Sequence, residues 1–271
     1  MAETQPTEVL QADAPAAPPR RKRRIGWVIA GIAVIVLIAG LIIGDLAARA
    51  YATNLVRERI AAVLNLPAGT PVGVELGPGS ILLQAATGAI DRVDVAVDEL
   101  TFGEITGSAT IAATEVPIDT SRPVDRLRIG VTVAEDQVQN LAGFLSGTPL
   151  QSIALEGDKV RVAAEFDLVF LQLPVEVDLA PSAVDGGISF DPTTIYLDGE
   201  QISVDDLRAI PGVSELAGTL LASRDFCVAG YLPQALTVTD VDVVDDALVL
   251  AIRGDGAALS GPGLSTNGTC P

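Results

Sequence analysis

The chain reads as an α+β protein, a long helical stretch followed by an antiparallel sheet, and three features carry that reading. Ile25 to Gly44 holds no charged side chain. Leu46 to Leu66 has no Gly or Pro and places Val56, Ile60, Val63 and Leu64 on one face of a helix. From Val72 the apolar residues begin to alternate with polar ones, the period of a strand with one buried and one wet face.

At the N-terminus, Met1 to Pro19 is rich in Ala, Pro, Gln, Thr and Glu and too poor in large apolar side chains to offset the entropy of ordering. With the basic run Arg20-Arg21-Lys22-Arg23-Arg24 it is expected to form a disordered cytoplasmic tail, residues 1–24. The next 20 residues, 25–44, rise about 1.5 Å each and reach about 30 Å, one bilayer core. Short basic flanks stay on the cytoplasmic side, so the expectation is a single-pass plasma-membrane protein with its main domain extracytoplasmic. The rival reading is signal-peptidase cleavage at Ala48-Arg49-Ala50, but the apolar run exceeds the usual h-region of about 7 to 15 residues, which favours an uncleaved anchor.

Beyond the anchor, residues 45–256 are long enough for one domain with a substantial core, and 257–271 read as a loop tail rich in Gly, Ser, Thr and Ala. The exported part carries 12 basic against 32 acidic residues, a net −20. Such a field repels phosphate backbones, so no nucleic-acid partner is expected, and it opposes simple adhesion to an anionic membrane. The plain reading of the acid excess is solubility. Cys227 and Cys270 are the only cysteines. In an oxidising compartment the natural inference is a disulfide between them, worth about 3 to 4 kcal/mol and tethering the tail; free thiols or pairing with another chain are the alternatives.

Strands can be read at Val93, Val95 and Val97, and at Leu127, Ile129, Val131 and Val133. In the longest run, Val160, Val162, Ala164, Phe166 and Leu168 occupy even positions and Leu171, Leu173, Val175, Val177 and Leu179 odd ones. The phase slips near Val169-Phe170, where no Gly, Asn or Asp stands ready for a two-residue turn. That favours one long, bent strand, suited to a highly curved sheet. Helices are expected at Ala134 to Leu145, with a Val138, Leu141, Ala142 and Leu145 stripe, at Val204 to Ile210 behind a Ser203 cap, and at Ser214 to Ala222. Strand patterns resume at Leu236, Val238, Val241 and Val243 and at Leu248, Leu250 and Ile252; no fixed-period repeat is present.

Catalytic chemistry is hard to place in this chain, which contains no histidine and so lacks the commonest general base and metal ligand. No catalytic residue, metal site or cofactor is expected. The Asp240-Val241-Asp242 pair has a metal-binding spacing, but in an alternating strand the two carboxylates simply share the wet face. Asp245-Asp246 is expected as the turn after it, Gly77-Pro78-Gly79-Ser80 is a turn without the lysine of a phosphate loop, and Asn267-Gly268-Thr269 matches a glycosylation acceptor too short to weigh.

What is abundant is aliphatic surface: 49% of residues are hydrophobic and only 4% aromatic. A curved sheet lined with such side chains can leave an apolar groove for acyl chains, or it can simply fill its core. Ser80-Ile81-Leu82-Leu83-Gln84-Ala85-Ala86-Thr87-Gly88-Ala89-Ile90-Asp91-Arg92-Val93-Asp94-Val95, then Tyr231-Leu232-Pro233-Gln234-Ala235-Leu236-Thr237-Val238 and Asp246-Ala247-Leu248-Val249-Leu250, resembles the LmeA-like phospholipid-binding family of actinobacterial envelope proteins, over roughly Leu46 to Gly256. The resemblance implies a tubular lipid-binding-like fold in which a highly curved antiparallel sheet wraps a long amphipathic helix. It also implies binding of phospholipid, including phosphoinositides, a role in lipomannan assembly, and no enzymatic activity. Arg122, Arg126 and Arg128 would have to concentrate positive charge for an anionic head group, or form an exposed basic strand face. The groove residues expected are Val56, Ile60 and Val63 on the helix, Leu127, Ile129 and Val131, and Val160, Val162 and Phe166. The competing expectation is a structural or adaptor envelope protein whose apolar positions are wholly filled.

Overall fold

A computed structural model of the chain describes residues 22–63, 66–67, 69–102, 105–140, 150–168, 171–197, 199–209 and 223–269. The first element is one helix, α1 (Lys22–Val63), uninterrupted because no proline falls within it. Among the described residues it is the one helix long and apolar enough to cross a membrane, with a mean hydropathy of 2.5 over its most apolar 18 residues, within Gly31–Ala62. The chain divides into two compact units, Met1–Leu46 and Ala47–Pro271. Both sheets belong to the second.

Its first sheet begins with β1 (Val72–Leu76), α2 (Ile81–Thr87), β2 (Ala89–Phe102), β3 (Ile105–Pro117) and β4 (Arg126–Ala134), the last followed by the short α3 (Glu135–Val138). A second sheet uses β5 (Leu150–Glu156), β6 (Lys159–Leu168), β7 (Leu171–Val184), β8 (Gly187–Leu197), β9 (Glu200–Ser203) and, after α4 (Val204–Ala209), β10 (Arg224–Cys227). The chain then returns to the first sheet with β11 (Thr237–Val244) and β12 (Ala247–Arg253) and ends on α5 (Pro262–Ser265). All pairings are antiparallel, in the orders β1-β2-β3-β4-β12-β11 and β10-β8-β7-β6-β5, with β9 also on β8, and neither sheet closes on itself. Gly187 lets β10 come close, since a Cβ there would lie 2.1 Å from the Phe226 carbonyl.

Register turns the alternating pattern into a continuous apolar face. Val72, Val97, Ala109, Val131, Leu250 and Val241 stand opposite one another in one row across all six strands of the first sheet. Val74, Val95, Ile111, Ile129, Ile252 and Val238 form a second row, and Leu76, Val93, Ala113 and Leu127 begin a third. Val56 and Ile60 of α1 pack on the β1–β3 part of this face. On its β4, β12 and β11 part, Val133, Val241, Val243 and Leu248 pack with Ile153, Leu155, Val160 and Ile188 of the second sheet, and β11 lies across β7.

The long bent strand expected at the phase slip does not form. β6 and β7 are the two arms of a hairpin, pairing Val160 with Leu179, Val162 with Val177 and Leu168 with Leu171. A chain reversal across two residues carries even positions of one strand and odd positions of the next onto the same face, which is the slip seen in the sequence. Residues 169–170 lie outside the described residues, as do Leu141, Ala142 and Leu145, the expected helix Ser214 to Ala222, and Cys270. Of the helix expected from Ala134, the described part is α3. The helix behind Ser203 is α4, where the Ser203 hydroxyl accepts from Asp205 N at 3.3 Å. Asp245 and Asp246 form the β11–β12 turn, and Asp240 and Asp242 are both exposed.

The helix α2 has no counterpart in the sequence reading. Ser80 caps it by accepting from Leu83 N at 3.2 Å, and Gly88, at φ 88°, ends it by donating to the Ala85 and Gln84 carbonyls. Buried Gln84 ties it down, donating to Pro78 O at 3.0 Å and accepting from Asp91 N at 3.1 Å.

Candidate apolar binding site

The apolar face is unevenly covered. At its α1 edge Val72, Val74, Val95 and Val97 are buried, and at its far edge Val238, Val241 and Ile252 are buried. Between them Ile111, Ile129, Val131 and Leu250, neighbours on β3, β4 and β12, are only half-buried. This strip is bounded by the part of the face under α1 and the part under the second sheet. It is a band of aliphatic side chains left partly open in the middle of that face.

At the strand ends near Leu127, Leu236 joins Ile111 and Ile129 of the strip and the adjoining Ala113. Leu236 also lines a shallow cavity of about 330 Å³ with Val228, Leu232, Val238, Gln234, Thr237, Asn267 and Thr269. Leu232, Leu236 and Val238 belong to the core between the sheets, so the inner wall of the cavity is the core itself. Its rim is polar and carries no charge. The C-terminal segment builds that rim: Gln234 N donates to Thr266 O and Gly268 N to Leu232 O, each at 2.9 Å, and Asn267 Nδ2 to Gly230 O at 2.8 Å.

The residues read from the sequence fall into three clusters. Ile129 and Val131 lie in the strip and pack against the core between the sheets. Val160 is buried and Val162 half-buried in the core between the sheets, while Leu127 is buried with Ala113 and Val124. Val56 and Ile60 sit in a separate cluster against β1–β3, linked to the rest through Ile111 and Val116. The helix stripe and the β6 residues are therefore not direct neighbours, as a single groove between them would require. The side chains of Val63 and Phe166 lie outside the described residues. Ile111 and Leu250, absent from the groove residues expected from the sequence, join the strip only once β3 and β12 are paired with β4.

Polar groups cluster on the opposite faces. Arg126 and Arg128 point away from the apolar rows; Arg126 lies 3.4 Å from Asp125, Arg128 binds Asp255, and Arg253 is 3.8 Å from Asp255. Arg122 lines a second shallow cavity with Glu115 and Asp125. Arg126 and Arg128 thus each have a carboxylate at hand, and Arg122 shares its cavity with two. On the second sheet, buried Asp178 receives Arg161 at 2.7 and 3.1 Å and the Tyr196 hydroxyl at 3.1 Å, with the Arg161 guanidinium 4.6 Å from the Tyr196 ring centre. Asp178 holds the Arg161 pKa above its ordinary range, and burial with the hydrogen bond to Asp178 raises that of Tyr196. This network staples β6, β7 and β8.

An antiparallel fold with an aliphatic strip and an uncharged rim offers a surface of the kind apolar ligands use. The chain belongs to the LmeA-like phospholipid-binding family, whose profile matches residues 43–253. No curated protein and no solved structure matches it.

Proposed function

We propose that the protein is a membrane-anchored, extracytoplasmic, non-enzymatic phospholipid-binding protein. An acyl chain lies along Ile111, Ile129, Val131 and Leu250, and the head group stays at the cavity rimmed by Gln234, Thr237 and Asn267. The observation that carries this reading is the half-buried aliphatic strip between two buried margins; membership of a phospholipid-binding family supports it. Residues 25–44 serve as the anchor, the basic flank at 20–24 faces the cytoplasm, and Cys227 pairs with Cys270 to hold the tail against the rim. The sheet curves around the Val56–Ile60 helix in the tubular manner the family likeness implies. Phosphoinositide preference and a part in lipomannan assembly are further steps of the same reading.

Residues 47–271, purified under oxidising conditions and examined by native mass spectrometry, are expected to carry co-purified phospholipid. After delipidation they are expected to take lipid from vesicles, with phosphatidylinositol compared against phosphatidylcholine. Val131→Trp is expected to lower lipid retention about tenfold, the factor that follows from about 1.4 kcal/mol of lost contact, while the fold survives. Unfolding of Val131→Trp, or a domain that takes up no lipid, would favour a filled core and an adaptor role.

A further inference from the structure

Gly77 to Ile90, the segment that contains α2, has no charged residue in a domain with a large acid excess. It nevertheless presents apolar side chains to solvent: Leu83 is 66% exposed and Leu82 44%. Ile118 joins them at 51% exposure, held beside α2 by its N–H donating to Gly88 O at 3.0 Å. Ile81 and Gln84 take the buried side of this capped helix, and the two leucines are turned outward where a surface helix usually carries polar side chains.

The backbone of this segment is unusually well satisfied. The Ser80 cap, the Gly88 cap and the two bonds of Gln84 account for groups at both ends of α2. Arg49 of α1 donates to Leu76 O at 2.8 Å, Gly77 O at 3.1 Å and Gly79 O at 2.7 Å. A segment whose polar groups are met internally can leave bulk water without the desolvation cost of bare amides.

Arg49 also fixes where along the chain the segment is tied. It lies five residues after Gly44, so no bend could separate its Cα from the apolar stretch by more than about 18 Å. Tyr51, two residues further on, is 72% exposed, an amphipathic ring of the kind that settles at a membrane–water boundary.

We propose that α2 and Ile118 form a membrane-contact surface, with Leu82, Leu83 and Ile118 resting in the interface of the same phospholipid bilayer that anchors the chain. This rests on the anchor reading and not on the occupancy of the aliphatic strip. The occupant is a bilayer because the surface is uncharged, apolar, internally satisfied and tethered next to the membrane-crossing stretch. Leu127 and Leu236, where the strip meets its cavity, sit at the same strand ends of the first sheet as α2, so lipid leaving the bilayer would meet the cavity end of the strip first.

The test uses the full chain, whose single tryptophan is Trp27. In a Trp27→Phe background, Leu83→Trp is reconstituted into phosphatidylcholine vesicles with plain or brominated acyl chains. Val244→Trp is the control: Val244 is 50% exposed and stands at the opposite strand ends. Bromolipid is expected to quench Leu83→Trp by about half or more and to leave Val244→Trp bright, with aqueous iodide doing the reverse. Ile118→Trp repeats the measurement if Leu83→Trp does not fold. Equal bromolipid quenching at positions 83 and 244 overturns the proposal. So does shielding of position 83 from iodide without bromolipid quenching, which would indicate a second copy of the chain. Protein that does not float with the vesicles refutes the anchor and this proposal together. Lipid uptake by residues 47–271 is a separate readout, so the two failures are distinguishable.

Discussion

Asp255 shows how one side chain can organise the end of a sheet. Its carboxylate accepts from Leu127 N at 3.0 Å, and Arg128 and Arg253 lie against it. The hydrogen bond from Leu127 first, and the two cations after it, hold its pKa below the usual carboxylate range. A depressed folded-state pKa contributes stability above the unfolded value, near pH 4, and loses it as pH falls through the folded value. Asp255→Asn is therefore expected to lower the melting temperature at pH 7, and the gap from the unaltered protein is expected to narrow as pH falls below the unfolded-state value. Thermal melts across pH check this; a gap that widens on acidification would refute it. Asp242 behaves in the opposite sense, its pKa raised by the neighbouring Asp240, as two carboxylates on one wet strand face require. That shared face was legible in the Asp-x-Asp spacing, whereas the partnership of Asp255 with Leu127, 128 positions away, was not.

At the scale of elements, the sequence reading succeeds where period and turn chemistry agree. β11 alternates from Asp240 onward, beyond a register shift between Val238 and Asp240, and Asp245 and Asp246, at φ 51° and 57°, make a two-residue turn with both residues left-handed. Asp tolerates that conformation less well than Asn-Gly does. Asp245→Asn combined with Asp246→Gly is expected to stabilise by about 1 kcal/mol and to raise the melting temperature by about 2 to 4 °C. Differential scanning calorimetry decides it, and a fall in melting temperature would mean that the aspartates serve a role the turn alone does not explain. The β6–β7 hairpin was missed because the two linking residues carry no turn signal, so only the nine-pair register of the arms reveals the reversal. α2 was missed because seven residues are too few to establish a helical period; its evidence lies in the caps, Ser80 and Gly88, at its two ends.

For the whole molecule, the decisive question is whether the N-terminal helix stays attached. Cleavage at Ala50 would remove Arg49 and with it three hydrogen bonds to the Leu76–Gly79 backbone. The membrane-extracted protein is expected to have the mass of the uncleaved chain and to resist carbonate extraction. A soluble form beginning at Tyr51 would sink the anchored reading. Of the candidate site, Ile129 and Val131 were legible because strand alternation marks inward residues. Their half-covered state, and the company of Ile111 and Leu250, depended on which strands became neighbours and on what lay above them.

The sequence by itself determined the apolar helix, the change from helical to strand period, the inward and outward residues of most strands, and the family. All but the family are local properties, set by spacing along the chain. Only the tertiary structure decided that the strands divide between two open sheets and that α1 covers one margin of the apolar face while the second sheet covers the other. It alone left a strip between them half-open and turned the leucines of α2 outward. Those outcomes depend on contacts between residues far apart in sequence, and burial is a property of what packs above a residue as well as of the residue itself.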